Sequence, residues 1–281
     1  MPNRKDLPFL LSLLEDDSRI VREQVKSALI EFGNELEQIV APYFKQLDNE
    51  SKEKIALICD EIRQIEFSST WLSWLDIKDS KSSLEYALIR LAYFEFGSRA
   101  FLIEDILTQL SNEFLHSGLE RTPANLMAFL FQHKGFRSPR KDDNNYLNHN
   151  LLYVITNKEG SQVLLSCLAI ILGARVGLQL DGINIQGNFM AFSYEEKKMQ
   201  MFNSFNKGKP LARASVIYIE EAFRRNQIAP LQMKACVHEI ILQVIKGIVE
   251  AHHVNGDSDS AKEYIDLYSI LSNTLKERNI L

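Results

Sequence analysis

Ser161 and Cys167 are the side chains of this sequence best placed to act as nucleophiles, and His149 is the imidazole nearest to them along the chain. Together they outline one chemistry, hydrolysis or acyl transfer by Ser161 or Cys167 with His149 as base. That chemistry needs the base within about 3 Å of the nucleophile, or one water away. Without a base, a lone serine stays a neutral, weakly nucleophilic alcohol. Cys167 lies more than a turn into an apolar run, flanked by Leu165, Ser166 and Leu168, which is the setting of an inert core thiol. His149, in Asn148-His149-Asn150, has the surroundings of an ordinary surface or capping histidine.

Other chemistries find less. His252 and His253 are adjacent, so they point to different faces and cannot clamp one metal as histidines four apart do. His238-Glu239 lacks the second histidine of a zinc-protease motif, and no G-x-S-x-G, P-loop or dinucleotide fingerprint occurs. Cys59, Cys167 and Cys236 are far apart without C-x-x-C spacing, which fits reduced thiols and neither a disulfide framework nor a zinc site. Lys134, Arg137, Arg140 and Lys141 form a basic loop followed at once by Asp142-Asp143. With no Gly-rich strand-to-helix turn, it reads as a solvated, compensated loop and not as a phosphate site. The expectation is no metal and no cofactor.

These candidates must be positioned by a largely helical chain. Val163–Leu172 is apolar at nearly every position, and a helix apolar all round must be enclosed by other elements. Arg175 interrupts it too soon for a membrane crossing. With 281 residues, 46% hydrophobic and 25% charged, there is ample material for a core, and only 12 Gly and 7 Pro favour helix. The net charge of −5 argues against broad nucleic-acid binding. Met1-Pro2-Asn3-Arg4-Lys5 resembles a signal-peptide start, but the apolar run Phe9–Leu14 is brief and ends in Glu15-Asp16-Asp17. The expectation is therefore a cytoplasmic protein.

Leu7–Gly33 reads as two antiparallel helices, a pattern that resembles a HEAT repeat. Something like it returns from Trp71 to Gly97, with Leu36–Ile65 as a degenerate copy between them. Trp71 and Trp74, three apart, read as a packed face and not as a ligand platform. Ser80–Ser83 is the expected boundary, with Ser82 or Ser83 capping a helix from Leu84. Helices follow over Ile103–Phe114 and Pro123–His133. After the buried helix the period changes to two over Leu180–Phe192 and Lys198–Phe205, with Glu195–Lys198 as a hairpin tip. Helices resume over Ser215–Asn226, Leu231–Val254 and Asp259–Arg278. The class is therefore α+β, predominantly α, with one small antiparallel sheet against the central helix.

Markers spread in order through the middle of the chain carry a family resemblance. They are Asn145-Tyr146-Leu147-Asn148, Gly160, Leu172–Leu178, Gly182-Ile183, Gly187-Asn188-Phe189 and Phe202–Gly208, with Leu130-Phe131 and Gly135–Arg137 upstream. This pattern is similar to the SirB-type branch of the transglutaminase-like superfamily over roughly Leu84–Leu281. The resemblance implies a transglutaminase-like domain over 80–214 and tetratricopeptide-like helices over 215–281, and residues 1–79, outside it, are the HEAT-like helical region. The resemblance also implies where chemistry would sit: a cysteine at the N-terminus of the buried helix, a histidine on the adjacent strand and an Asp or Asn on the next. Here those positions hold Ser161 or Gln162, Asn188 and Asn203. An Asn amide does not titrate, so Asn188 cannot serve as base, and Asn203 has no base to orient. The implied function is a degenerate, non-catalytic scaffold whose partner is another protein, with neither nucleic acid nor membrane involved. The vacated positions are expected to meet and tie helix to sheet through neutral hydrogen bonds.

Overall fold

The structure is a computed structural model, and it describes residues 3–140, 142–195, 198–226 and 233–280. The chain divides into two compact units, Met1–Trp71 with Tyr93–Ser98, and Leu72–Ala92 with Arg99–Leu281.

The first unit is helical: α1 (Leu7–Ser12), α2 (Arg19–Ile30), α3 (Leu36–Val40) and α4 (Asn49–Thr70). Its core collects Leu7, Leu11, Val25, Leu29, Ile55 and Ile62, apolar residues at helical spacing. Asp48 starts α4 by accepting a hydrogen bond from Ser51 N at 2.7 Å. The segment Leu36–Ile65, read from sequence as a degenerate copy of the helix pair, holds the short α3 and most of the 22-residue α4, which runs on to Thr70. Trp71 ends α4 buried, with its ring 5.2 Å from that of Phe67.

In the second unit Trp74 is likewise buried. Helix α5 (Ser80–Phe96) begins four residues before the expected Leu84. Asp79, and neither serine, supplies the start: its Oδ2 accepts from Ser82 N at 2.7 Å. Ser83 turns inward to donate to the Trp74 carbonyl at 2.8 Å. Next come α6 (Leu102–Leu115), α7 (Pro123–Ala128, continued by a π-turn over Phe129–His133), a 3-10 turn at Tyr146–His149, α8 (Leu151–Asn157) and α9 (Gln162–Arg175). Every residue of α9 from Val163 to Gly173 is buried, with Leu164 at 0% and Leu168 and Leu172 at 1% exposure. Helices α6, α7 and α8 and the sheet all pack on it, which gives its uniformly apolar surface no water-facing side.

The sheet is a meander of β1 (Asp181–Ile185), β2 (Asn188–Glu195), β3 (Lys198–Asn203) and β4 (Lys209–Pro210), antiparallel throughout. The sequence presented Leu180–Phe192 as one alternating run, but it folds back on itself at Gln186 and Gly187. Both residues have positive φ (50° and 85°), as a tight two-residue hairpin turn requires. Glu195 pairs with Lys198 as expected of a hairpin, while Glu196 and Lys197 at its tip lie outside the described residues. Alternation then sorts the sheet. Met190, Phe192, Met199 and Met201 cluster with Val216 of α10 (Arg213–Arg225), leaving Phe189 and Ala191 on the face toward α9.

Helices α11 (Val237–Val254) and α12 (Ser258–Glu277) close the chain and pack on each other. The expected start of α11 at Leu231 lies outside the described residues, and Lys234–Cys236 is not helical. Ala235 N is instead committed to the Gly182 carbonyl, at 2.8 Å, beside β1. The architecture is α+β, predominantly α, with one small four-stranded antiparallel sheet.

Candidate functional site

The N-terminal end of α9, the start of β2 and the end of β3 meet. Ser161 caps α9: its backbone is extended (φ −61°, ψ 158°), and its hydroxyl accepts from Leu164 N at 3.4 Å, a long bond. Its own N–H goes to the Asn148 carbonyl at 2.8 Å, which fixes the Tyr146–His149 turn to the helix start. Gln162 is half-buried beside it.

Two hydroxyls that were not among the candidate positions fasten this junction. Ser166, on α9, and Ser204, just after β3, are both buried, and their Oγ atoms lie 3.1 Å apart. Ser204 Oγ is also 3.4 Å from the Gln162 carbonyl, and Ser166 Oγ is 3.5 Å from the Phe189 carbonyl. Each hydroxyl has one proton to give. Either Ser166 donates to Ser204 and Ser204 to Gln162, or Ser204 donates to Ser166 and Ser166 to Phe189. Both arrangements join the first turns of α9 to the sheet without burying a charge.

The two asparagines do other work. Asn203 Oδ1 accepts from Phe205 N and Asn206 N, at 3.0 and 3.2 Å, and so caps the 3-10 turn that delivers Ser204. Asn188 is exposed, and its side chain makes no hydrogen bond among the described residues. Strand alternation groups it with Met190 and Phe192, on the α10 face of the sheet. The backbone segments named by the resemblance are thus brought together, but the side chains in contact are Ser166 and Ser204. The sequence contained a weak signal for each: Ser166 is a polar residue inside an apolar helix, and Ser204 is the centre of Asn203-Ser204-Phe205.

Cys167 and His149 are kept apart from any such chemistry. Cys167 is wholly buried, and that burial pushes its thiol far above the usual range. His149 lies flat on α11: a Cβ built on Gly247 would fall 2.3–3.0 Å from three of its ring atoms. Burial lowers its pKa to about 4, and its Nδ1 is enclosed with no hydrogen-bond partner. Five residues after Gly247, His252 is sandwiched between Tyr146 and Tyr264, at 4.1 and 5.8 Å between ring centroids. Its Nδ1 meets Asp257 Oδ2 at 3.1 Å, and its Nε2 is enclosed without a hydrogen bond. That pairing has the form of a catalytic dyad, yet the nitrogen that would reach a substrate is sealed.

In the basic loop, Lys134 pairs with Glu113 at 2.5 Å and Arg137 with Glu159 at 2.8 Å, so compensation comes from those residues. Lys141 lies outside the described residues. Among the described residues there is no group of three or more His, Cys, Asp or Glu able to hold a metal ion, and no helix long and apolar enough to cross a membrane.

Over 147 residues the chain is 25% identical to a protein named UPF0162 protein from Xylella fastidiosa (strain 9a5c). It is 24% identical to its namesake from strain Temecula1 / ATCC 700964. Each alignment takes in 50% of this chain and 52% of the relative, so the chain spans about half the length of the curated relatives it matches. No solved structure matches. Residues 102–243, which run from the start of α6 into α11 and include the whole junction, match the family model, and the chain belongs to the transglutaminase-like superfamily.

Proposed function

We propose that this protein is a non-catalytic, SirB-type member of the superfamily that acts as a protein-interaction or regulatory scaffold. The observation that carries the reading is the buried Ser166–Ser204 pair, which occupies the junction of helix and strands with two neutral hydroxyls. A nucleophile there needs a base, and the residues at the corresponding positions, Asn188 and Asn203, have amide side chains that do not titrate. The acyl-transfer alternative draws no support from Cys167, which is buried, or from His149, which packs on Gly247.

In this reading residues 1–79 are HEAT-like helices, 80–214 the degenerate transglutaminase-like core and 215–281 a tetratricopeptide-like tail, all in the cytoplasm. The helical parts supply the surfaces and the core holds them. Affinity purification with mass spectrometry tests the proposal: a specific, reproducible protein partner is expected. Failure to recover any partner, alongside turnover of a peptide or ester substrate by the purified chain, would overturn it.

A further inference from the structure

A groove of about 320 Å³ opens between the outer edge of β1, the chain before α11 and the first two turns of α11. Sites for small ligands run from about 300 to 1,000 Å³, so this one has room for a short fragment only. Its apolar lining comes from Phe189, Phe223, Met233 and Ile240, and its polar lining from Asn184, Lys234, Glu239 and Gln243.

The polar groups are partly committed, and what they leave free defines the ligand. Lys234 shares the Asp181 carboxylate, at 2.5 Å, with Lys81, and Glu239 in the lining supplies a second negative charge, so the charges around the groove balance and do not call for an anion. Glu239 uses Oε2 to accept from Cys236 N at 2.8 Å, and Oε1 takes no hydrogen bond among the described residues. Gln243 uses Oε1 to accept from Asn184 Nδ2 at 3.1 Å, and its Nε2 donates to nothing among the described residues. Besides the Lys234 ammonium, one carboxylate acceptor and one amide donor therefore remain along a lining with apolar residues beside them. Beside β1, the Ala235 bond to the Gly182 carbonyl shows that the main chain of Gly182 faces outward. The antiparallel alternation turns that of Asn184 the same way, toward the groove.

We infer that this groove binds an extended peptide segment of another protein, with an aliphatic side chain set among Phe189, Phe223, Met233 and Ile240. The peptide's carbonyl accepts from Gln243 Nε2, and its N–H donates to Glu239 Oε1. An extended main chain offers carbonyl and N–H groups beside an apolar side chain, and beside β1 it can meet the outward main chain of Asn184. A free amino acid would bring two further charges into a groove where Lys81 and Lys234 are already balanced by Asp181 and Glu239. The inference rests on the scaffold reading and gives that scaffold a contact surface.

The test is a titration of the full-length, 15N-labelled protein with acetyl-Ala-Leu-Ala-amide, followed by the side-chain amide signals of Gln243 and Asn184. Saturable shifts of both are expected, with binding at least about tenfold weaker in Gln243→Ala and in Phe223→Glu, the loss expected from removing one good contact. Unchanged signals from α9 certify that the variants are folded. Absence of shifts, equal binding by both variants, or preference for free leucine over the capped peptide would each overturn the inference. If the capped peptide fails while the protein still recovers its partner, the scaffold reading survives and only the groove is wrong. If the peptide is cleaved, both fall.

Discussion

Where the first turns of α9 meet the sheet, the buried polar side chains are Ser166 and Ser204, neutral hydroxyls that satisfy one another, while Asn148, on the turn bonded to Ser161, is buried with its Oδ1 unpaired. On and against α11 the enclosed groups are the imidazoles of His252 and His149, whose rings each keep one buried nitrogen unpaired. The contrast separates two uses of polar residues in one core. At the α9–sheet junction the groups are hydroxyls, which carry no charge. Where the chain has imidazoles, it uses them as flat plates: His149 on a glycine and His252 between two tyrosines. An unpaired buried polar atom costs on the order of 1–3 kcal/mol wherever it lies, and burial of the His149 ring should make its region the more pH-sensitive of the two.

The largest expected effect follows from His149. Its folded pKa of about 4 lies below the ordinary 6.5, because burial disfavours the charged ring. A depressed histidine pKa means that the neutral ring's contribution is fully present above pH 6.5. It is lost progressively as the pH falls from 6.5 toward 4, and levels off below. The span corresponds to roughly 3 kcal/mol of unfolding free energy. Urea melts across that window should show the decline, and His149→Phe, which keeps the flat ring, should flatten it. An unaltered pH profile in the variant would remove His149 from the account.

Gly247 sharpens the same side of the contrast. A methyl group at this position would meet the His149 ring at 2.3 Å, and overpacking of this kind costs about 1–3 kcal/mol. Alanine's better helix propensity returns about 1 kcal/mol. Gly247→Ala should therefore destabilise the wild type modestly, yet stabilise a His149→Ala background. The sign reversal in a double-mutant cycle is the measurement.

The hydroxyl pair should respond more quietly. Ser204→Ala or Ser166→Ala should each cost about 1 kcal/mol, and the double variant less than the sum, since both remove the same bond. Asn188→Ala, at an exposed position without side-chain hydrogen bonds, should stay within about 0.5 kcal/mol. Strict additivity of the two serine changes, or a larger effect at Asn188, would reverse the roles assigned to them.

Much of this was legible in the sequence, and the exceptions have physical causes. Helix α9 was readable because a fully apolar run has only one fate in a soluble core, and α6 and α12 because their apolar stripes keep helical spacing. The β1–β2 turn was missed because Gln186-Gly187 lacks the Asn-Gly or Asp-Gly signal, and glutamine takes a positive φ there against its preference. The junction was found through its backbone markers, while its fastening side chains were credited to their neighbours: Ser166 stood beside Cys167, and Ser204 beside Asn203. The contact between His149 and Gly247 joins residues almost a hundred positions apart, and nothing local announces it.

The central claim is that the α9 junction holds no activated nucleophile, and covalent trapping tests it most directly. Folded protein would be treated with iodoacetamide and, separately, with a fluorophosphonate across pH 6–9, and the adducts mapped by mass spectrometry. Alkylation is predicted only at the exposed Cys236 and, more slowly, at the half-buried Cys59. Cys167, Ser161, Ser166 and Ser204 should stay unmodified until the protein unfolds. A stoichiometric adduct on any of those four in the folded chain, forming with the pH profile of a single base, would contradict the claim.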